Sequence, residues 1–215
     1  MRNFTTHLII TALSASSAVA QLPQACFFLT HMEGKITDDS DLISNLPDLE
    51  KSYRPGMQLK SIIAMQDPEM DGRITGLQVD LVEPETRDLL KLPLVGVELD
   101  EWESNEMIFK AYQPDKISIL TDTTSGSVCD VIIFNGKDAT NLSSVNDVNC
   151  DPEELGIEET IVRLPEETPL VGFHGHSDGL VLNSLGLILV NAEDPACQQT
   201  SSHGQIEMYR GSIFE

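Results

Sequence analysis

An all-β fold is predicted by three features of the chain. Short apolar runs alternate with polar residues at a period of two. Turn-forming residues separate those runs, and no long amphipathic helical pattern appears anywhere. Alternation sends successive side chains to opposite faces of a strand, so one face is buried and the other wet. Repeated short strands of this kind build a sandwich, a prism or a barrel.

The amino-terminal end reads as a targeting segment. Arg2 gives a positive start, Leu8 to Leu13 is a short apolar run, and Ala18-Val19-Ala20 fits a signal-peptidase site. The expectation is a protein secreted to the extracellular space after removal of residues 1–20. Residues 21–56 are read as an amino-terminal extension, 57–190 as the β domain and 191–215 as a tail. Cys26-Phe27-Phe28-Leu29 is a short strand. Residues 31–56 are polar and acidic, and are expected to be a long loop or decoration. A short helix over Asp41–Ser52 is expected to be interrupted by Pro47.

Met57 to Val82 reads as a hairpin. Met57, Leu59, Ile63 and Met65 share one parity, and Leu77, Val79 and Leu81 alternate with Gly76, Gln78 and Asp80. Residues 83–105 are acidic and proline-marked, with a helical turn at Glu85–Leu90 and a strand at Leu94–Leu99. Further strands are expected at Met107–Tyr112, Lys116–Thr121, Val131–Phe134 and Thr160–Leu164, with a turn at Asn135-Gly136. The last hairpin spans Thr168–Val190, where Gly172, Gly175, Gly179 and Gly186 punctuate runs of Leu, Val and Ile.

Charge and cysteines narrow the partners. The formal net charge of −22 leaves no basic footprint for nucleic acid. No later apolar run is an unbroken ~20 residues, so membrane insertion is not expected. Four cysteines in a secreted chain favour disulfides. The preferred pairing is Cys129 with Cys150 and Cys26 with Cys197, the other two connectivities staying open. Asn141-Leu142-Ser143 is a glycosylation sequon on a surface loop, and the Asn3 sequon falls in the removed segment.

The last hairpin carries the most chemistry. Leu170-Val171-Gly172-Phe173-His174-Gly175, then Gly179-Leu180-Val181-Leu182-Asn183, then Leu185-Gly186, resembles the final hairpin of jacalin-related lectins. Ile74-Thr75-Gly76-Leu77-Gln78-Val79 is similar to an early strand of that family. The resemblance covers about residues 57–190. It implies a β-prism of three antiparallel sheets and non-catalytic carbohydrate binding through the loop 175–183. Gly179, Leu180 and Val181 would offer backbone groups to sugar hydroxyls, and Asn183 stands in the place of the family's aspartate. A carboxylate accepts from two hydroxyls at once, whereas an amide has one acceptor and one donor. Two further departures are the absent glycine-rich first loop and one extra residue between Gly175 and Asn183. A structural or protein-binding module on the same hairpin is the alternative.

Other patterns compete for the same stretches. Gly175-His176-Ser177-Asp178-Gly179 matches the G-x-S-x-G nucleophile elbow, with His203 and Asp194 downstream; the elbow needs a helix after Ser177. Asp67, Glu69, Asp71 and Gly72 imitate a calcium loop, but Gln78 stands where its glutamate belongs, so an acidic turn is expected. His174 and His176 share a strand face, and two ligands do not make a metal site. Trp102 sits among acids and reads as a packing residue. No cofactor and no metal are expected.

Overall fold

The computed structural model describes residues 26–67, 73–97, 103–109, 113–143, 150 and 156–198. Residues 1–20, the turn at 68–72, Trp102, His203 and the tail beyond 198 lie outside them. In chain order, β1 (Phe27–Leu29), β2 (Glu33–Gly34) and β3 (Asp41–Ser44) precede helix α1 (Leu46–Ser52). β4 (Gln58–Asp67), β5 (Arg73–Val82), β6 (Leu89–Lys91), β7 (Val95–Gly96) and β8 (Glu103–Ile108) follow. Next come β9 (Lys116–Asp122), β10 (Val128–Asn135), β11 (Asp138–Asn141) and β12 (Ile157–Arg163). β13 (Leu170–Ser177), β14 (Leu182–Val190) and helix α2 (Pro195–Gln198) complete the order.

The strands form three antiparallel sheets. The first runs β1-β14-β13-β3, with β2 also on β14. The second runs β6-β5-β4-β8, with β7 on β5, and the third runs β11-β10-β9-β12. Leu77, Val79 and Leu81 from the second sheet, Ile117, Ile119 and Val131 from the third, and Phe173 and Leu187 from the first join one buried core. Each such side chain contributes about 1.5–3 kcal/mol by leaving water. Three sheets around one core make the β-prism that the resemblance implies.

Several expectations change against this frame. Residues 31–44 are not decoration: β2 and β3 pair with the last hairpin and, with the expected strand β1, complete the first sheet. Pro47 does not interrupt α1 but lies in its first turn, where a missing amide leaves no intrahelical bond unmade. A register shift between Leu59 and Ser61 breaks the parity of β4. A bulge adds one residue and reverses the faces beyond it. Ile62 and Ala64 therefore enter the main core in place of Ile63, while Met65 is buried outside that cluster.

The expected wet face of β5 is also covered. Gln78 Nε2 donates to Leu92 O at 3.0 Å, and Leu94 packs against Gly76. Of the stretch expected to be a strand at Leu94–Leu99, residues 94–97 are described, and among them the strand is only Val95–Gly96. Asn45 fastens this cover to the first sheet. Its buried side chain donates from Nδ2 to Pro93 O at 2.7 Å and accepts Phe173 N–H at Oδ1 at 3.0 Å. The preferred disulfides are the ones formed: Cys26–Cys197 and Cys129–Cys150.

Candidate functional site

The last hairpin ends in a tight loop whose geometry follows from Asp178. β13 and β14 pair as far as Ser177 opposite Leu182, with a register shift between His176 and Ser177, leaving residues 178–181 as the crest. Asp178 Oδ1 accepts the Leu180 amide at 3.0 Å and the Val181 amide at 3.1 Å. An aspartate that bonds its own backbone two and three residues on closes a turn without help from a sheet. Gly179 then sits at φ 88°, a left-handed conformation that glycine adopts without steric cost. A Cβ built on it would meet nothing within 4 Å, so the crest is open there. Leu180 projects outward and is 56% exposed.

Asn183 is drawn inward. It is 4% exposed, and its Nδ2 donates to Asp178 Oδ2 at 3.1 Å. Its Oδ1 is buried without a hydrogen-bond partner. Burial alone would raise the Asp178 pKa. The donors at Val181, Asn183 and Leu180 outweigh it and hold the carboxyl below the usual range. Asp178 is therefore an ionised acceptor at neutral pH, cradled by three donors.

Asp178 brings a carboxylate into the crest, within hydrogen-bond reach of Asn183. A second aspartate at position 183 could not donate to it and would repel it. The amide of Asn183 donates instead. The four residues singled out in the sequence, Gly179, Leu180, Val181 and Asn183, all meet around Asp178. The Leu180 and Val181 amides face this carboxylate, Gly179 and Leu180 face solvent, and Asn183 lies beneath.

Neighbouring loops frame the crest. Lys35 donates its amide to Asn183 O at 3.0 Å and to Gly126 O at 2.9 Å, joining the first sheet to the β9–β10 turn. Arg73 reaches that turn from the second sheet, donating to Ser125 Oγ and Ser127 Oγ at 3.0 Å and pairing with Asp122 at 2.9 Å. Burial raises the Asp122 pKa, but Thr124, Ser125 and Arg73 together hold it low. Beside Lys35 a groove of about 290 Å³ is lined by Glu33, Thr121, Asp122 and Glu158. Sequence reasoning did not single out Lys35, Arg73 or Asp178 as site residues. Lys35 and Asp178 act through backbone carbonyls and amides, and Arg73 through side chains distant in the chain, neither of which leaves a mark on residue spacing.

The rival constellations resolve differently. The stretch after Ser177 is a strand, not the helix a nucleophile elbow requires. Ser177 Oγ donates to Val181 O at 2.8 Å, so the hydroxyl closes the loop. His174 is buried and its Nε2 stands 3.1 Å from Thr30 O. Burial lowers its pKa, the Thr30 carbonyl raises it and His176 lowers it, leaving it below the ordinary imidazole value. His176 Nδ1 lies 3.4 Å from Ser40 Oγ. Among the described residues no three His, Cys, Asp or Glu side chains gather as metal ligands. No described helix is long and apolar enough to cross a membrane.

Three antiparallel sheets and this closing hairpin define the jacalin-like lectin fold, and the solved structures agree. A mannose-specific jacalin-related lectin from Morus nigra, bound to mannose, superposes with a TM-score of 0.55 at 12% identity, covering 82% of this chain and 99% of its own. A mannose-binding jacalin-related lectin from Ananas comosus gives 0.53 at 15% identity, covering 77% and 98%. Artocarpin in complex with mannotriose gives 0.52 at 13% identity, covering 79% and 98%. No family model and no curated protein matches the sequence. What the chain shares with these lectins is the fold.

Proposed function

We propose that the protein is a secreted, non-catalytic carbohydrate-binding protein that takes its ligand at the loop 175–183, around the crest. The observation that carries this is the Asp178 carboxylate, ionised and fixed by Leu180, Val181 and Asn183 beside an open Gly179. Vicinal sugar hydroxyls are donors as well as acceptors, and the fixed carboxylate, with an acceptor position left on Oδ2, takes one of them with charge-assisted strength. The exposed Leu180 offers an apolar surface to the C–H face of the ring. Gly179 and Val181 shape the approach, and Asn183 holds the acceptor in place. The structural neighbours whose names record mannose binding support a sugar as the ligand class. Two disulfides and the pattern of residues 1–20 support secretion.

A second reading rests on the same atoms. The backbone donors at 180 and 181 already have an internal acceptor, which favours a sealed crest and a glycan-silent module. A glycan array with mannose-containing probes decides between them. The first reading expects retention that falls at least about tenfold in Asp178→Ala, the loss of one charge-assisted contact, and also falls in Asn183→Ala. An array blank for the native protein that gains signal in Asp178→Ala would show a sealed crest instead.

A further inference from the structure

The sequon at residues 141–143 lies at the end of β11, and its two working groups stand in opposite surroundings. Asn141 is exposed and pairs with Ile132 on the outermost strand of the third sheet. Ser143 is 7% exposed. Its hydroxyl donates to Asp130 Oδ2 at 2.7 Å and its amide to Asp130 Oδ1 at 2.9 Å. Leu142 between them is buried, donates its amide to Val131 O at 2.8 Å and accepts Gln66 Nε2 at 3.2 Å. Asp130 is itself buried and follows Cys129, which is bonded to Cys150. The segment is thus pinned at Leu142 and at the hydroxyl-bearing residue itself.

An N-x-Ser acceptor needs its hydroxyl as well as its amide. We propose that Asn141 is an N-glycosylation site open to the unfolded chain and closed once Ser143 docks on Asp130. In the transfer, the Asn141 amide nitrogen attacks C1 of an oligosaccharide carried on a polyprenyl diphosphate. The N–C1 bond forms, the C1–O bond breaks, the lipid diphosphate leaves, and the amide gives one proton to a base. The attached glycan then stands on an edge strand. The far side of β11 has no strand partner among the described residues. An open edge is a template for pairing with another chain, and a bulky hydrated substituent on Asn141 covers it.

The test has two arms. The full chain is expressed in a eukaryotic secretory cell and weighed before and after enzymatic removal of N-glycans. A shift of one glycan is expected, lost in Asn141→Gln and kept in Ser143→Thr, which retains the hydroxyl. The unglycosylated chain is then offered to microsomes supplied with lipid-linked oligosaccharide, once native and once reduced and unfolded. The native form is expected to be modified at least about tenfold less, because it exposes the hydroxyl only by local opening. Equal modification of the two forms would overturn the gate. A chain without glycan in both arms would overturn the site.

Discussion

At the scale of the residue, the crest depends on a pair. Asn183 and Asp178 form an amide–carboxylate contact at 3.1 Å, with the amide buried and the carboxylate held ionised. Asn183→Asp would set a second carboxylate against the first with no proton between them at neutral pH. One of the two must then take up a proton or move, so one pKa rises. Thermal unfolding is expected to show a loss of about 1–3 kcal/mol at neutral pH, shrinking as acidification supplies the proton. In an Asp178→Ala background the same change should cost much less. Equal costs in the two backgrounds would mean that the residues do not interact. Gly179, Leu180, Val181 and Asn183 were picked out by the hairpin's resemblance to the lectin family, and they lie on or beneath the crest. The role of Asp178 was not legible, because the spacing of residues says nothing about which amides a carboxylate will find.

At the scale of the element, legibility followed the solvent. Leu77, Val79 and Leu81 announce β5 because one side of the strand must be apolar. The other side is roofed by residues 92–96, and nothing in the alternation of β5 reports a roof. β2 and β3 were unreadable for the opposite reason: they are short and mostly exposed, and their place comes from backbone pairing with β13 and β14. That last hairpin contains its own crossing point. His174 lies opposite Gly186, and a Cβ on Gly186 would overlap the imidazole ring where it reaches toward Thr30 O. Gly186→Ala is expected to cost about 1–3 kcal/mol by overpacking, and less when His174 is already Ala, as a double-mutant cycle in urea would reveal. The ring also sets a pH dependence. Its folded pKa lies below the ordinary 6.5, so acidification protonates the unfolded chain first. The stability it contributes is present above about 6.5 and lost as pH falls toward the folded value. His174→Gln should flatten that part of the urea midpoint–pH curve.

At the scale of the whole molecule, the two disulfides close loops of very different length. Cys26–Cys197 joins residues 171 apart and fastens α2 to the residue preceding β1, whose neighbour Phe27 pairs with Val190 at the end of β14. Cys129–Cys150 joins residues 21 apart and packs with Leu120 in a small cluster separate from the main core. In the chain-entropy account the first restricts the unfolded state more, roughly 5 kcal/mol against roughly 3 kcal/mol for the second. All four cysteines are buried, so serine leaves hydroxyls to satisfy in either pair, and the difference in loop length decides the order. The double variant Cys26→Ser with Cys197→Ser is therefore expected to lower the urea midpoint further than Cys129→Ser with Cys150→Ser. The pairs lie on different parts of the prism, so the crest at 178–181 should keep its geometry in either folded variant. Loss of the short bridge should instead loosen the Asp130–Ser143 contact, because Cys129 adjoins Asp130. Hydrogen exchange at the Ser143 amide, whose bond to Asp130 is 2.9 Å, reads that loosening directly. Faster exchange there in the short-bridge variant, with the Val181 amide unchanged, is the expected pattern. Equal acceleration at both amides would mean that the three sheets open together and that the bridge acts on the prism as one unit.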